Sequence, residues 1–177
     1  WAGLWQPDAD RAVTHARHAS GRDVDAELYR LAMDNVRQAH AAGVRIVAGT
    51  DAGDTYVFPG FAIHDELAEL VRAGLAPTDA LRSATIDAAR FSGKAREYGS
   101  IEAGKVADMI LLDADPLTDI RSTEKIAGLF FNGQHLDRAA LDELLAFAED
   151  QAGSLTTNLQ LLWGALRSPV VWAQAAD

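Results

Sequence analysis

Asp51 stands in the stretch Gly-Thr-Asp-Ala-Gly, just past the β-branched residues Val44, Ile46 and Val47. In open α/β sheets and in (β/α)8 barrels, active sites form at the carboxyl ends of the strands. A carboxylate presented there can ligate a metal ion or move a proton. Gly49 and Gly53 are the expected means of presenting it, because a residue without a Cβ lets the chain turn sharply and lets a ligand come close. On spacing alone the simpler reading is that Asp51 closes an Asx-turn or caps a helix. His64, Asp65 and Glu66 follow at the start of the next helical stretch. The two acids suit the positive end of a helix dipole without any function. His64 is placed either to reach back toward Asp51 or to cap the helix. Tyr56, Phe58 and Phe61 lie in the intervening loop, as a pocket wall or folded onto a core.

Other candidates are weaker. His15 and His18 have the one-turn spacing of a metal-chelating pair, but no matching acid accompanies them, and a solvated face is the simpler reading. "DADPLTDI" lacks the glycine and the terminal Glu of a calcium loop and reads as a turn. There is no phosphate-binding glycine loop, no Gly-x-Ser-x-Gly elbow and no His-Glu-x-x-His.

Bulk properties narrow the classes. The net charge of -10 argues against a nucleic-acid partner, which needs clustered Lys and Arg. Cysteine is absent, so disulfides and thiolate metal sites are excluded, and a cytoplasmic location is the expectation. No apolar run is long enough for a membrane span. The 177 residues, 49% of them hydrophobic, suffice for one sizeable core or one and a half domains. The chain starts at Trp1, with methionine only at Met33 and Met109, so the simplest reading is the C-terminal part of something longer.

The elements that would position these residues follow from periodicity. Val24, Leu28, Leu31, Ala32, Val36 and Ala39 recur every three or four residues, and Gly43 follows as a stop, which predicts a helix. "VRIVAG", residues 44–49, reads as a short buried strand, completing the helix–loop–strand step of an α/β fold. "IHDELAELVRAG" predicts a helix with Ile63, Leu67, Leu70 and Val71 on one face. Pro77 opens another, "PTDALRSATIDAARFSG", at a first-turn position where its missing N–H costs nothing. After Gly93 the pattern becomes a small β module, with a strand over 109–112 and the hairpin signal Asn132-Gly133. "RAALDELLAFAED" predicts a further helix.

The order of "GTDAG", "HDELAELVRAGLAPTDALRSATIDAAR", "GSIEAGKVADMILLDADPL" and "FFNG" resembles the C-terminal part of the amidohydrolase superfamily. The likeness covers residues 24–136 and is greatest to the imidazolonepropionase-like and Xaa-Pro-dipeptidase-like branch. It implies an α/β fold, the C-terminal portion of a metal-dependent (β/α)8 TIM barrel plus returning strands of a small β-sandwich. Residues 1–93 would be the last part of the barrel, 94–136 the sandwich strands and 137–177 a C-terminal helical extension. Residues 44–49 would be the eighth barrel strand and Asp51 its metal-binding aspartate. In that role Asp51 passes a proton from the attacking water to the leaving nitrogen. Tyr56, Phe58 and His64 would touch substrate.

The resemblance also implies zinc or another divalent metal, which lowers the pKa of bound water to roughly 7. Zinc needs three or four protein ligands and only Asp51 maps onto one, so the other ligands belong outside this chain. The expected partners are a small-molecule amide or peptide substrate and the missing N-terminal barrel half, in cis or in trans. The isolated chain would then be inactive. The alternative is a non-catalytic interaction module that keeps the tail of the enzyme fold. The apolar tail, with Leu155, Leu159, Leu162, Trp163 and Leu166, predicts helix over 155–166, covered by the barrel piece or by a second subunit of a homo-oligomer.

Overall fold

The computed structural model describes residues 24–52, 57–154, 156 and 160. They fall into two compact units divided between Leu136 and Asp137. In the first, α1 (Val24–Ala41), α2 (Ala62–Arg72), α3 (Pro77–Ala84) and α4 (Ile86–Phe91) precede β1 (Met109–Leu112), a 3₁₀ helix (Ile120–Glu124), β2 (Ile126–Phe131) and β3 (Gln134–Asp137). In the second, α5 (Arg138–Gly153) starts at Asp137, whose side chain accepts the Ala140 N–H at 2.9 Å as an N-cap. The helix expected over 155–166 lies outside the described residues except at Thr156 and Gln160, which are helical.

The core of the first unit is built on α2. Its buried Leu67, Ala68 and Leu70 meet Leu75, Ala80 of α3 and Ile120 of the 3₁₀ helix. Val36 of α1 and Ile46 and Ala48 of the following segment pack against that cluster. Full burial of one leucine side chain stabilises by about 1.5–3 kcal/mol, so this face decides how the helices assemble. Gly74, at φ 111°, ends α2 as expected.

Three expectations need correction. Residues 44–49 form no strand ladder among the described residues. Ile46 and Ala48 face the core, whereas Val44 (54% exposed) and Val47 (38% exposed) do not. From Ile46 to Thr50 the half-buried and exposed residues alternate as in a half-covered strand, but a strand exists only through its neighbours, and none is described beside it. Leu28 and Leu31 are likewise exposed, so the apolar contact of α1 with the core comes from Val36, while the Tyr29 hydroxyl ties the earlier turns to Glu69 and Arg72 of α2. The helix opened by Pro77 is two helices, because Thr85 leaves helical geometry at φ -123° and ψ -99°. The Thr85 hydroxyl donates to the Leu81 carbonyl at 2.7 Å, and its own carbonyl accepts from Ala89 N–H at 2.9 Å, so polar groups at the break are used.

The β module follows the expected pattern. β1, β2 and β3 form one three-stranded sheet in that order. β1 pairs antiparallel with β2, Met109 opposite Phe130, with an irregularity between Leu111 and Leu112 that makes a bulge. Asn132 (φ 49°) and Gly133 (φ 74°) both lie in the left-handed region, the geometry of a tight type I′ hairpin turn. "DADPLTDI" is a turn: Asp115 accepts from Leu117 N–H at 2.9 Å, and Asp119 accepts from Arg121 N–H at 3.0 Å. In "GSIEAGK", Lys105 donates to the Ala95 carbonyl at 2.8 Å and pairs with Glu102 at 3.2 Å, tying the lead-in of the module to the end of the helices. The Ser100 hydroxyl and Lys105 hold Glu102 below the usual carboxylate range.

Gly99 docks where α3 and α4 part. A Cβ there would lie 2.7 Å from Ile86 Cα and 3.0 Å from the Thr85 carbonyl, and its φ is +90°. Gly133 has a similar φ of +74° but open space around it. Gly133→Ala should therefore cost only the backbone term of about 1–2 kcal/mol. Gly99→Ala should cost clearly more, since backbone cannot rotate away from the clash. Urea unfolding of the two variants measures the difference, and equal losses would refute the tight docking at Gly99.

Candidate functional site

Asp51 is exposed, and it is itself in the left-handed region, at φ 52°. This corrects the expectation placed on Gly49, whose φ is not positive and whose Cβ would meet nothing within 4 Å. Aspartate visits the left-handed region more readily than most residues because its short side chain hydrogen-bonds locally. A non-glycine residue held there is a departure that concentrates at functional sites. An Asx-turn at Asp51 would use the amide of Gly53, which lies outside the described residues. Gly53 and Tyr56 lie outside the described residues.

Two amides just before Asp51 are held by different helices. Ala48 N–H donates to the Ser83 carbonyl at 3.2 Å, in the last turn of α3. Gly49 N–H donates to Glu66 Oε1 of α2, also at 3.2 Å. Ser83 is buried, and its hydroxyl donates to the Ala80 carbonyl at 2.7 Å. The segment leading into Asp51 is therefore anchored to the same two helices that make the core.

His64 does not reach back to Asp51 through its Nδ1. That atom lies 3.1 Å from the Thr123 hydroxyl, on the 3₁₀ helix. Thr123 donates its only hydroxyl proton to the Ile120 carbonyl at 2.9 Å, so the hydroxyl must accept from His64 Nδ1–H. The neutral ring is thereby fixed with its proton on Nδ1, leaving Nε2 as the acceptor. Phe58 is 52% exposed and Phe61 64%, so neither is folded onto the core. The Phe58 carbonyl accepts from Ala62 N–H at 3.0 Å, which sets the loop at the entry of α2.

The other described histidines make structural contacts. His40 lies 3.6 Å from Asp79, and His135 stacks on Phe130 with ring centroids 4.6 Å apart. His15 and His18 lie outside the described residues. Among the described residues no group of three or more His, Asp or Glu side chains is gathered as a metal site. An exposed carboxylate such as Asp51 suits one ligand position of a divalent cation, and the described residues complete no site for one. No described helix is long and apolar enough to cross a membrane. Sequence reasoning missed Thr123 and the Glu66 contact. The former stands 59 residues from His64 with no local signal, whereas Glu66 was visible only as a dipole-favoured acid.

With this geometry in view, comparison with known proteins is decisive about the family. The amidohydrolase family profile matches residues 12–136, and the chain belongs to that family. It is 35% identical over 85 residues to an imidazolonepropionase from Shouchella clausii, covering 45% of this chain and 18% of that protein. It is 36% identical over 90 residues to an N-substituted formamide deformylase from Arthrobacter pascens, covering 46% of this chain and 17% of that one. Among solved structures, a putative prolidase from Bifidobacterium longum is 40% identical with a TM-score of 0.55, covering 66% of this chain and 30% of that chain. The chain thus spans about a fifth of the length of the curated relatives it matches.

The hydrogen-bond bookkeeping at Thr123 generates a test. Thr123→Val is isosteric but leaves His64 Nδ1 without its acceptor, in a position where Thr123 is 7% exposed. The expected loss is about 1–3 kcal/mol, that of a part-buried donor left unsatisfied. Nitrogen NMR of the neutral imidazole should read the Nδ1–H form in the unsubstituted chain and a mixture of both forms in the variant. A predominant Nε2–H form in the unsubstituted chain would contradict the assignment.

Proposed function

We propose that this chain is the C-terminal part of a metal-dependent hydrolase that cleaves a C–N bond of an amide, peptide or cyclic amide, with Asp51 as its acid–base residue. The observation that carries the reading is the presentation of Asp51: exposed, left-handed, and at the end of a segment with one apolar face on the core and the other uncovered. Val47, on that uncovered face, is what an eighth barrel strand would turn toward the barrel interior. Sheet edges and apolar faces of this kind call for partners. The rest of a (β/α)8 barrel, in cis or in trans, is the partner proposed here, and β1 to β3 would be returning strands of its β-sandwich. The relatives' names speak of peptide, formamide and imidazolone chemistry, which share the C–N bond.

A divalent metal, zinc above all, would supply water activation and carbonyl polarisation when bound in the complete enzyme. Asp51 fits one of its ligand positions, and the remaining donors would come from outside the described residues. The carboxylate of Asp51 takes one proton from the attacking water and delivers it to the departing nitrogen, which would otherwise leave as a poor, strongly basic anion. Phe58 and Tyr56 would wall the substrate side of the loop. His64, with Nε2 as its acceptor nitrogen, would take a hydrogen bond from a substrate N–H.

In the complete enzyme, Asp51→Asn should keep the fold, because the amide is isosteric, and should lower kcat on the order of 10²–10⁴-fold. KM should change less, since the carboxylate acts where the proton moves. Steady-state kinetics with an amide or dipeptide substrate measures both. Near-native kcat in the Asn variant would remove Asp51 from the mechanism.

A further inference from the structure

We propose that Glu66 is a positioning residue for Asp51, its carboxylate fixing the chain two residues upstream. The inference rests on the reading of Asp51 given above. Gly49 N–H donates to Glu66 Oε1 at 3.2 Å, the nearest anchor before Asp51 among the described residues. Bonds to an ionised acceptor are roughly twice as strong as neutral ones. The backbone that carries Glu66 is fixed, because Leu67, Ala68 and Leu70 on the same helix are buried in the core. The adjacent amide, Ala48, is held from α3 by the Ser83 carbonyl. Consecutive amides are thus tied to two separate helices. Gly49 adds no side chain of its own to brace the segment, and the chain enters its left-handed turn at Asp51 soon after.

This arrangement adds little to stability. Gly49 is exposed, so water would replace the carboxylate if it were lost. What changes is where Asp51 is presented, and a misplacement near 1 Å of a reacting group can cost on the order of 100-fold in rate. A helix acid with no such task would leave the amide of Gly49 indifferent to its removal.

Amide NMR of the chain separates the two. Glu66→Ala, and Glu66→Met with its similar length and no oxygen, should shift the Gly49 amide signal and speed its hydrogen exchange at least about tenfold. The backbone coupling that reports φ at Asp51 should move toward a conformational average. Glu66→Gln, which keeps an acceptor oxygen, should restore all three. In the complete enzyme Glu66→Met should lower kcat on the order of 10- to 100-fold with little change in KM, and Glu66→Gln should recover most of it. Unchanged Gly49 and Asp51 signals in Glu66→Met, with α2 still folded, would overturn the proposal. So would unchanged kcat. The NMR readings need no catalysis, so they stand apart from the fate of Asp51→Asn.

Discussion

The first unit depends on one packing contact: Ile120 of the 3₁₀ helix set against the leucine face of α2. That face does two jobs at once. It receives Ile46 and Ala48 from the segment that ends at Asp51, and it receives the β module through Ile120. The polar link beside it, His64 to Thr123, joins the same two elements at 3.1 Å. Apolar burial supplies most of the energy of such a junction, and the hydrogen bond supplies its register. Helix α2 is therefore the platform from which both the candidate carboxylate and the small sheet take their positions.

The same platform leaves one side of the segment before Asp51 uncovered among the described residues. An amphipathic segment needs two covered faces only if it sits inside a larger sheet. Here the core covers the face of Ile46 and Ala48, while Val47 on the opposite face remains open. Leu28 and Leu31 on α1 are open as well. These surfaces fit a family member that spans about a fifth of its curated relatives.

Much of this was legible from local pattern, and what was not has a physical reason. The leucine period of α2, the stop at Gly74, strand β1 and the Asn132-Gly133 turn are all set by neighbours within a few residues, so the sequence carries them. The break at Thr85 was hidden because the alanine stripe of Ala80, Ala84 and Ala88 runs straight across it. The ladder expected over 44–49 depends on strands remote in sequence, and no local signal reports their presence. Gly49 drew attention as a flexible residue, yet the left-handed position described in this segment is Asp51, which adopts it more readily than most non-glycine residues. The Thr123 partner of His64 and the Glu66 grip on Gly49 are products of tertiary packing. Only the helix that carries His64 and Glu66 could have been placed beforehand.

The central claim is that Asp51 contributes one ligand and one proton-transfer group to a metal site completed by other parts of a barrel. The most direct measurement is metal content, by elemental analysis after gel filtration in zinc-containing buffer, of the chain alone and of the chain joined to the complementary barrel. The account predicts no retained zinc on the chain alone and stoichiometric metal on the joined protein, since one carboxylate cannot hold the ion. Stoichiometric zinc on the chain alone, or none on a folded joined protein, would contradict it.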